Sequence, residues 1–238
     1  MHRFAYVYQF LLIASIGAVF VFLSDIRELY GLPDWGIGLV ASVGFLTTLP
    51  AIFIVSPLAD RGYTGPLIIG GTLMAIAGNL LFGFGDTLWH FVVSRGLLGA
   101  AIGMGGIAVK KAVIGNETEG AGKKLGALLS ASVAGFILGP PLGSQLERFG
   151  FATVFIVFAV AIGIVTVPLL VWAWNSPVAT SRMTVSSVLR LVERPGLRGA
   201  VLGYTLLFGS VGIFDSVVDI YLEDLGASNT QVGLLLLI

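Results

Sequence analysis

Long apolar stretches separated by short polar connections follow one another along the whole chain. A helix that crosses a bilayer needs about 20 mostly apolar residues, and seven stretches reach that length while an eighth begins. The apolar residues do not alternate with polar ones, so membrane strands are not favoured. The pattern predicts an all-α membrane protein with spans at Phe4–Leu23, Gly36–Leu58, Pro66–Gly85, Leu88–Val109, Leu125–Leu146, Phe151–Trp174 and Leu197–Tyr221, and a further span starting at Thr230–Ile238.

Composition supports the same class. The 238 residues are 56% hydrophobic and only 11% charged, whereas charged residues make up about 25% of ordinary soluble domains. The absence of cysteine excludes a disulfide framework and thiolate metal sites. A formal net charge of zero gives no overall field that would indicate a nucleic acid partner. The chain enters its first apolar stretch without a signal-peptide cleavage pattern, so we expect that stretch to be a retained helix.

The positions of lysine and arginine predict the orientation. With the N-terminus in the cytoplasm, the inner segments hold ten basic residues and the outer segments hold two, Arg27 and Arg148. The longest connection, Asn175 to Gly196, is then a cytoplasmic loop. We therefore predict a six-helix transmembrane bundle over residues 1–174, an inter-bundle loop over 175–196 and the start of a second bundle over 197–238.

A weak internal repeat supports the division into two bundles. At a constant offset, Glu28, Gly31, Gly38 and Leu39 match Glu223, Gly226, Gly233 and Leu234. The matches fall after the first and seventh spans, where two parallel halves of six helices would place them.

The fifth predicted span carries a stripe of glycines with prolines beside it. Gly135, Gly139 and Gly143 recur every fourth residue, and Pro140 and Pro141 remove two backbone donors. The pattern resembles G-x-x-x-G-P-x-x-G-G, the antiporter motif of the major facilitator superfamily, with a serine in place of the last glycine. The resemblance implies that the stripe packs this helix on the second half and blocks a proton leak. A generic packing face of small residues is the alternative.

The connection between the second and third spans resembles another motif of that superfamily, G-x-L-A-D-R-x-G-R-K. Leu58, Ala59, Asp60 and Arg61 match it, while the first glycine and the closing basic pair are absent. The resemblance implies that Asp60 caps a helix of the opposite half and that Arg61 pairs with an acid, so that an inner gate is held closed. An ordinary polar turn is the alternative.

Within the fourth span, Arg95 and Gly99 resemble the R-x-x-x-G core of a third motif. Arg95 lies about 10 Å below the outer surface by helical rise. An ionisable residue at that depth is a functional candidate unless its head reaches the headgroups by snorkelling.

Three acidic residues complete the predicted cavity. Asp215 in the seventh span lies at the depth of Arg95, and Asp219 shares its helix face. We expect Asp215 to bind a proton in competition with substrate or with Arg95. Asp25, at the outer end of the first helix, is either a carboxylate at the cavity mouth or a solvated residue beside Arg27.

Taken together, the resemblances imply a major facilitator transporter, most similar to the drug–proton antiporters, which moves a small molecule by rocker-switch alternating access. They imply the bilayer, a small-molecule substrate and protons as partners, with no nucleic acid and no metal, nucleotide or redox cofactor. A facilitator-fold importer and a non-transporting membrane protein, such as a scaffold or receptor, stay open. An enzyme is not favoured, because His2 and His90 lie at helix ends and no buried acid–histidine cluster is visible. We also expect the chain to need a missing C-terminal half, since its last apolar stretch is too short to span.

Overall fold

Six long helices make up the described part of the chain. The computed structural model describes residues 3–115 and 120–174, together with isolated positions between 195 and 232. The helices are α1 (Arg3–Tyr30), α2 (Asp34–Asp60), α3 (Thr64–Phe84), α4 (Leu88–Ile114), α5 (Ala121–Glu147) and α6 (Phe151–Trp174). Each contains most of one of the first six predicted spans, but α1 and α4 continue past the predicted ends Leu23 and Val109 to Tyr30 and Ile114. Gly85, predicted to close the third span, follows α3. No strand occurs in these ranges, so the all-α prediction is confirmed. The predicted loop and the seventh and eighth spans lie outside them, apart from isolated positions.

Helix α1 is the centre of the bundle. In its most apolar stretch 78% of residues are buried, against 22% in α2 and 22% in α5. The most extensive contacts join α1 to α5, α3 to α6, α3 to α4 and α2 to α4. Because α2 and α5 are the least covered helices, their apolar outer faces are the surfaces available to lipid or to further protein.

Glycines bring α1 and α5 into backbone contact. A Cβ on Gly139 would overlap Ala14 O and lie 3.0 Å from Ala18 N, and one on Gly17 would lie 2.7 Å from Phe136 O. The stripe therefore faces α1 of its own bundle. The expectation that these glycines pack on the second half is wrong, because α1 already fills the space beside them.

Glycines also bring α4 into close contact with α3 and α2. A Cβ on Gly71 of α3 would lie 2.6 Å from the backbone nitrogen of Gly105. On the other side, Gly99 meets the backbone of Gly44 in α2. Because neither pair leaves room for a side chain, α4 is held tightly between α2 and α3.

Aromatic side chains cluster in the half of the bundle that holds the C-terminal ends of α1 and α3 and the N-terminal ends of α4 and α6. Ring centroids lie 4.7 Å apart for Phe82 and Phe155, 5.1 Å for Phe82 and Phe91, and 5.4 Å for Phe22 and Phe151. These residues come from α1, α3, α4 and α6, so the cluster ties four helices together through offset and edge contacts.

Two helices change their winding near the middle of the bundle. Helix α1 tightens into a 3-10 turn at Phe20–Phe22, and α4 widens into a π-helical turn at Ile102–Gly106. Prolines lie inside α2, α5 and α6, and α5 remains helical through both Pro140 and Pro141. Windings of this kind inside a helix often mark functional positions.

The turn after α1 supports the internal repeat. Gly31 ends α1 with φ of 60°, and its repeat partner Gly226 has φ of 86°. Both values lie in the left-handed region that glycine adopts without strain. Gly226 follows helical positions at 221 and 222, as Gly31 follows α1.

Candidate functional site

Arg95 lies in the middle of the bundle, where α4 faces α1 and α2. Its side chain is 1% exposed. The guanidinium donates from Nε to Val40 O at 3.2 Å, from Nη1 to Ile16 O at 3.4 Å and from Nη2 to Ala41 O at 3.5 Å. Its Cζ also lies 5.2 Å from the ring centroid of Phe20. The arginine is therefore turned into protein, and its head does not snorkel to the surface.

Two local features lie beside this arginine, a glycine in α2 and the 3-10 turn of α1. Gly44 has no side chain, and a Cβ there would lie 3.6 Å from Nη2 of Arg95. Ile16 precedes the 3-10 turn of α1 by one helical turn, so its carbonyl lies where the regular hydrogen-bond ladder changes. The three acceptors of Arg95 are thus backbone oxygens of α1 and α2 that lie close to these two places.

The charge of Arg95 is only partly compensated by these contacts. A guanidinium has five N–H donors, and three are used here. Two of the three bonds are at the long limit for hydrogen bonding. Within residues 3–115 and 120–174, no carboxylate forms an ion pair with Arg95. The buried cation can therefore accept a closer anionic partner.

The acids predicted around Arg95 are placed differently. Asp215 and Asp219 lie outside the described residues, so their pairing with Arg95 stays a prediction. Asp25 lines a pocket of about 460 Å³ near the C-terminal end of α1, together with Glu28 and Glu147. The structure thus places Asp25 in an acidic pocket, nine residues beyond the carbonyl of Ile16, and its role at a cavity mouth stays a prediction.

Near the C-terminal ends of α2 and α4, Asp60 forms an ion pair with Lys111. The Lys111 Nζ lies 2.6 Å from Asp60 Oδ1, and both side chains are about four-fifths buried. Arg61, the next residue, is exposed. In the described residues Asp60 therefore links two helices of its own bundle, and the predicted contacts of Asp60 and Arg61 with another half stay predictions.

Several buried polar residues were not among the candidates predicted from the sequence. Tyr8 Oη lies 3.3 Å from Thr72 Oγ1, which lies 2.9 Å from Thr166 Oγ1, so a chain of hydroxyls joins α1, α3 and α6. Gln9 and Asn79 are also buried, and the side-chain oxygen of each amide has no hydrogen-bond partner in the described part of the chain. Their polarity inside apolar spans was the signal that could have identified them, as the charge of Arg95 identified that residue.

These features together define what the site can do. A buried cation with spare donors can attract a carboxylate or the polar end of a small molecule, and the amide oxygens can accept hydrogen bonds. Among the described residues no group of histidine and acidic side chains is arranged to hold a metal. The arrangement is suited to binding and to charge exchange inside a membrane bundle.

Comparison with known proteins decides the family. The sequence profile of the Major Facilitator Superfamily matches residues 5–238. The chain belongs to the major facilitator superfamily. Members of this superfamily are membrane transporters and not enzymes, and the six apolar helices agree with a polytopic membrane protein.

Curated relatives within the superfamily share a name. The chain is 26% identical over 201 residues to the multidrug resistance protein MdtG of Rahnella sp. (strain Y9602), covering 82% of the chain and 48% of that protein. It is 27% identical over 203 residues to the MdtG of Enterobacter lignolyticus (strain SCF1), with the same coverages. A shorter match of 125 residues to the MdtG of Salmonella arizonae reaches 32% identity over 51% of the chain and 30% of that protein. The chain thus spans about half the length of the first two of these relatives.

Proposed function

We propose that this major facilitator chain takes part in proton-coupled efflux of drugs or metabolites by alternating access. The observation that carries the proposal is Arg95, a buried arginine that donates only to backbone carbonyls within the described residues. A buried charge without a counter-ion is costly. It is therefore poised to exchange partners during a transport cycle. The relatives named as multidrug resistance proteins support efflux as the direction.

In this proposal the proton is carried by Asp215. An ionised Asp215 would pair with Arg95, since opposite charges stabilise each other where water is excluded. Protonation of Asp215 would displace both Arg95 and a substrate donor group from that carboxylate. Substrate and proton would then compete for Asp215, which is the coupling that an antiporter requires.

The proposal also places the chain in the cell membrane with its N-terminus in the cytoplasm. The excess of lysine and arginine in the predicted inner segments supports that orientation. The ion pair between Asp60 and Lys111 then lies at the cytoplasmic ends of α2 and α4. We propose that it stiffens this end of the bundle while Arg61 remains available as a gate contact.

Efflux of a neutral dye tests this function. The complete native gene is expressed in cells without resident drug pumps, and loss of preloaded Nile red is followed before and after a protonophore is added. We expect efflux that stops when the proton gradient collapses. Arg95→Met and Asp215→Asn should each abolish it at normal protein levels in the membrane.

Arg148→Met is the matched control. It makes the same chemical change at an exposed arginine that stacks on Phe149 at 4.7 Å. We expect it to retain efflux. Dye loss that is unaffected by the protonophore and by Arg95→Met would contradict the proposal, and dye uptake driven by the gradient would show an importer.

A further inference from the structure

The amide of Gln9 has a defined orientation inside the bundle. Gln9 is 2% exposed, and its Nε2 donates to Ser132 Oγ of α5 at 3.0 Å. Ser132 gives its single hydroxyl hydrogen to Leu128 O at 3.0 Å. Since that hydroxyl can then only accept from Gln9, the nitrogen of the amide must face Ser132. The oxygen, Oε1, therefore points away from α5.

This oxygen has no donor among the described residues. Most buried polar atoms in proteins are hydrogen-bonded, and a buried acceptor without a partner is destabilising. Its position beside the π-helical turn of α4 is a second reason to look for a ligand, because such turns often occur at functional sites.

Gly106, the last residue of that turn, leaves a space beside Oε1. A Cβ built on Gly106 would lie 3.5 Å from Oε1 and 3.9 Å from Ile102 Cγ2, which is ordinary contact. A hydroxyl or amine donor lies about 2.7–3.2 Å from its acceptor. One donor atom therefore fits close to where a side chain at residue 106 would begin.

The space is also approachable from the side. Helix α5 packs chiefly on α1 and contacts α4 only to a small extent. The junction of α1, α4 and α5, where Gln9 lies, is thus covered on one side by the poorly covered helix α5.

We propose that Gln9 Oε1, beside the side-chain-free Gly106, accepts a hydrogen bond from a hydroxyl or N–H group of a neutral, otherwise apolar transported molecule. This inference rests on the proposed function and adds a substrate class to it. The site selects molecules that carry one donor over those of equal size that carry none.

Two observations favour this occupant over others. Apart from the backbone of α4 itself, the atoms nearest the vacant Cβ position belong to one polar group, the Gln9 amide, and to Ile102, whereas a buried water needs two to four polar partners. A cation is disfavoured because Arg95 contacts Ile16 O, seven residues and about 10 Å farther along α1. A neutral donor on a larger apolar body suits both conditions.

A matched pair of probes tests the inference. Binding of naphthol and of its methyl ether to the purified 238-residue protein is measured by fluorescence at neutral pH, where naphthol is uncharged. One neutral hydrogen bond corresponds to a preference of roughly three- to tenfold. We expect that preference for naphthol in the unsubstituted protein.

Two variants remove the acceptor in different ways. Gln9→Leu deletes it, and Gly106→Ala fills the space beside it with a methyl group that the geometry accommodates. Both should bind the two probes equally. Asn79→Leu is the control, since Asn79 is a buried amide on α3 that also has an oxygen without a partner in the described residues, and it should keep the preference.

The outcomes separate this inference from the proposed function. Equal binding of both probes by the unsubstituted protein would mean that Oε1 holds water only, and it would overturn the inference while leaving efflux intact. A preference that survives in both Gln9→Leu and Gly106→Ala would also overturn it. Failure of either probe to bind, together with absence of dye efflux, would count against the proposed function itself.

Discussion

The contact between α1 and α5 gives the sharpest prediction. A methyl group added at Gly139 would overlap Ala14 O and lie 3.0 Å from Ala18 N and 3.1 Å from Gly17 Cα. These are backbone atoms of α1, so no side chain can rotate to relieve the overlap. Gly139→Ala must push the two helices apart along their closest approach, where dispersion contacts between them are densest.

The expected magnitude follows from two opposing effects. Adding a methylene-sized group to a tightly packed site destabilises by about 1–3 kcal/mol. Alanine is the better helix former by about 0.8–1.0 kcal/mol, which offsets part of that loss. We therefore expect the free energy of unfolding to fall by up to about 2 kcal/mol.

A second glycine of α5 provides the control. Gly126 has no atom within 4 Å of its Cβ position, so Gly126→Ala should be neutral or slightly stabilising. Both variants are unfolded in mixed detergent micelles, with loss of helix followed by circular dichroism. If Gly139→Ala proves as stable as Gly126→Ala, the close contact between α1 and α5 does not determine the stability of the bundle.

Three further predictions concern other contacts. A double-mutant cycle with Asp60→Asn and Lys111→Met should give a coupling energy near 1 kcal/mol in the same unfolding assay, and no coupling would show that the ion pair does not persist. Thr47→Val should lower the free energy of unfolding by about 0.6 kcal/mol through loss of the 3.0 Å bond to a carbonyl of α4; an unchanged value would contradict this. The chain has no cysteine, so an introduced cysteine is the only thiol that an impermeant reagent can label. Pro33→Cys should be labelled in intact cells and Gly122→Cys only after lysis. The reverse pattern would show that the proposed orientation is wrong.

The transmembrane architecture followed from local properties of the sequence. In a bilayer every backbone polar group must be paired within its own segment, so the length and hydropathy of an apolar stretch are enough to identify a helix. Arg95 was found as a candidate for the same reason: a charge inside an apolar span stands out without knowledge of its neighbours. The exact ends of helices did not follow equally well: the first predicted span stopped at Leu23, whereas α1 continues to Tyr30 and ends at Gly31, which has a positive φ.

Local properties of the sequence did not show which helices contact each other. The glycine stripe of α5 indicated a close contact but not with which helix, and the structure assigns it to α1. The same holds for Asp60, whose contact with Lys111 joins residues 51 positions apart. A small or polar residue has the same sequence signature whichever helix it faces, so only the tertiary arrangement decides the pairing.

The buried polar atoms show this limit most clearly. The sequence contains Gln9, Ser132 and Gly106 without any relation between them. Helix packing brings them together and decides which amide atom is paired and which is not. Hydrophobicity and helical rise act within one segment and are determined by the sequence alone, whereas hydrogen-bond satisfaction between helices depends on distances that exist only after the bundle has assembled.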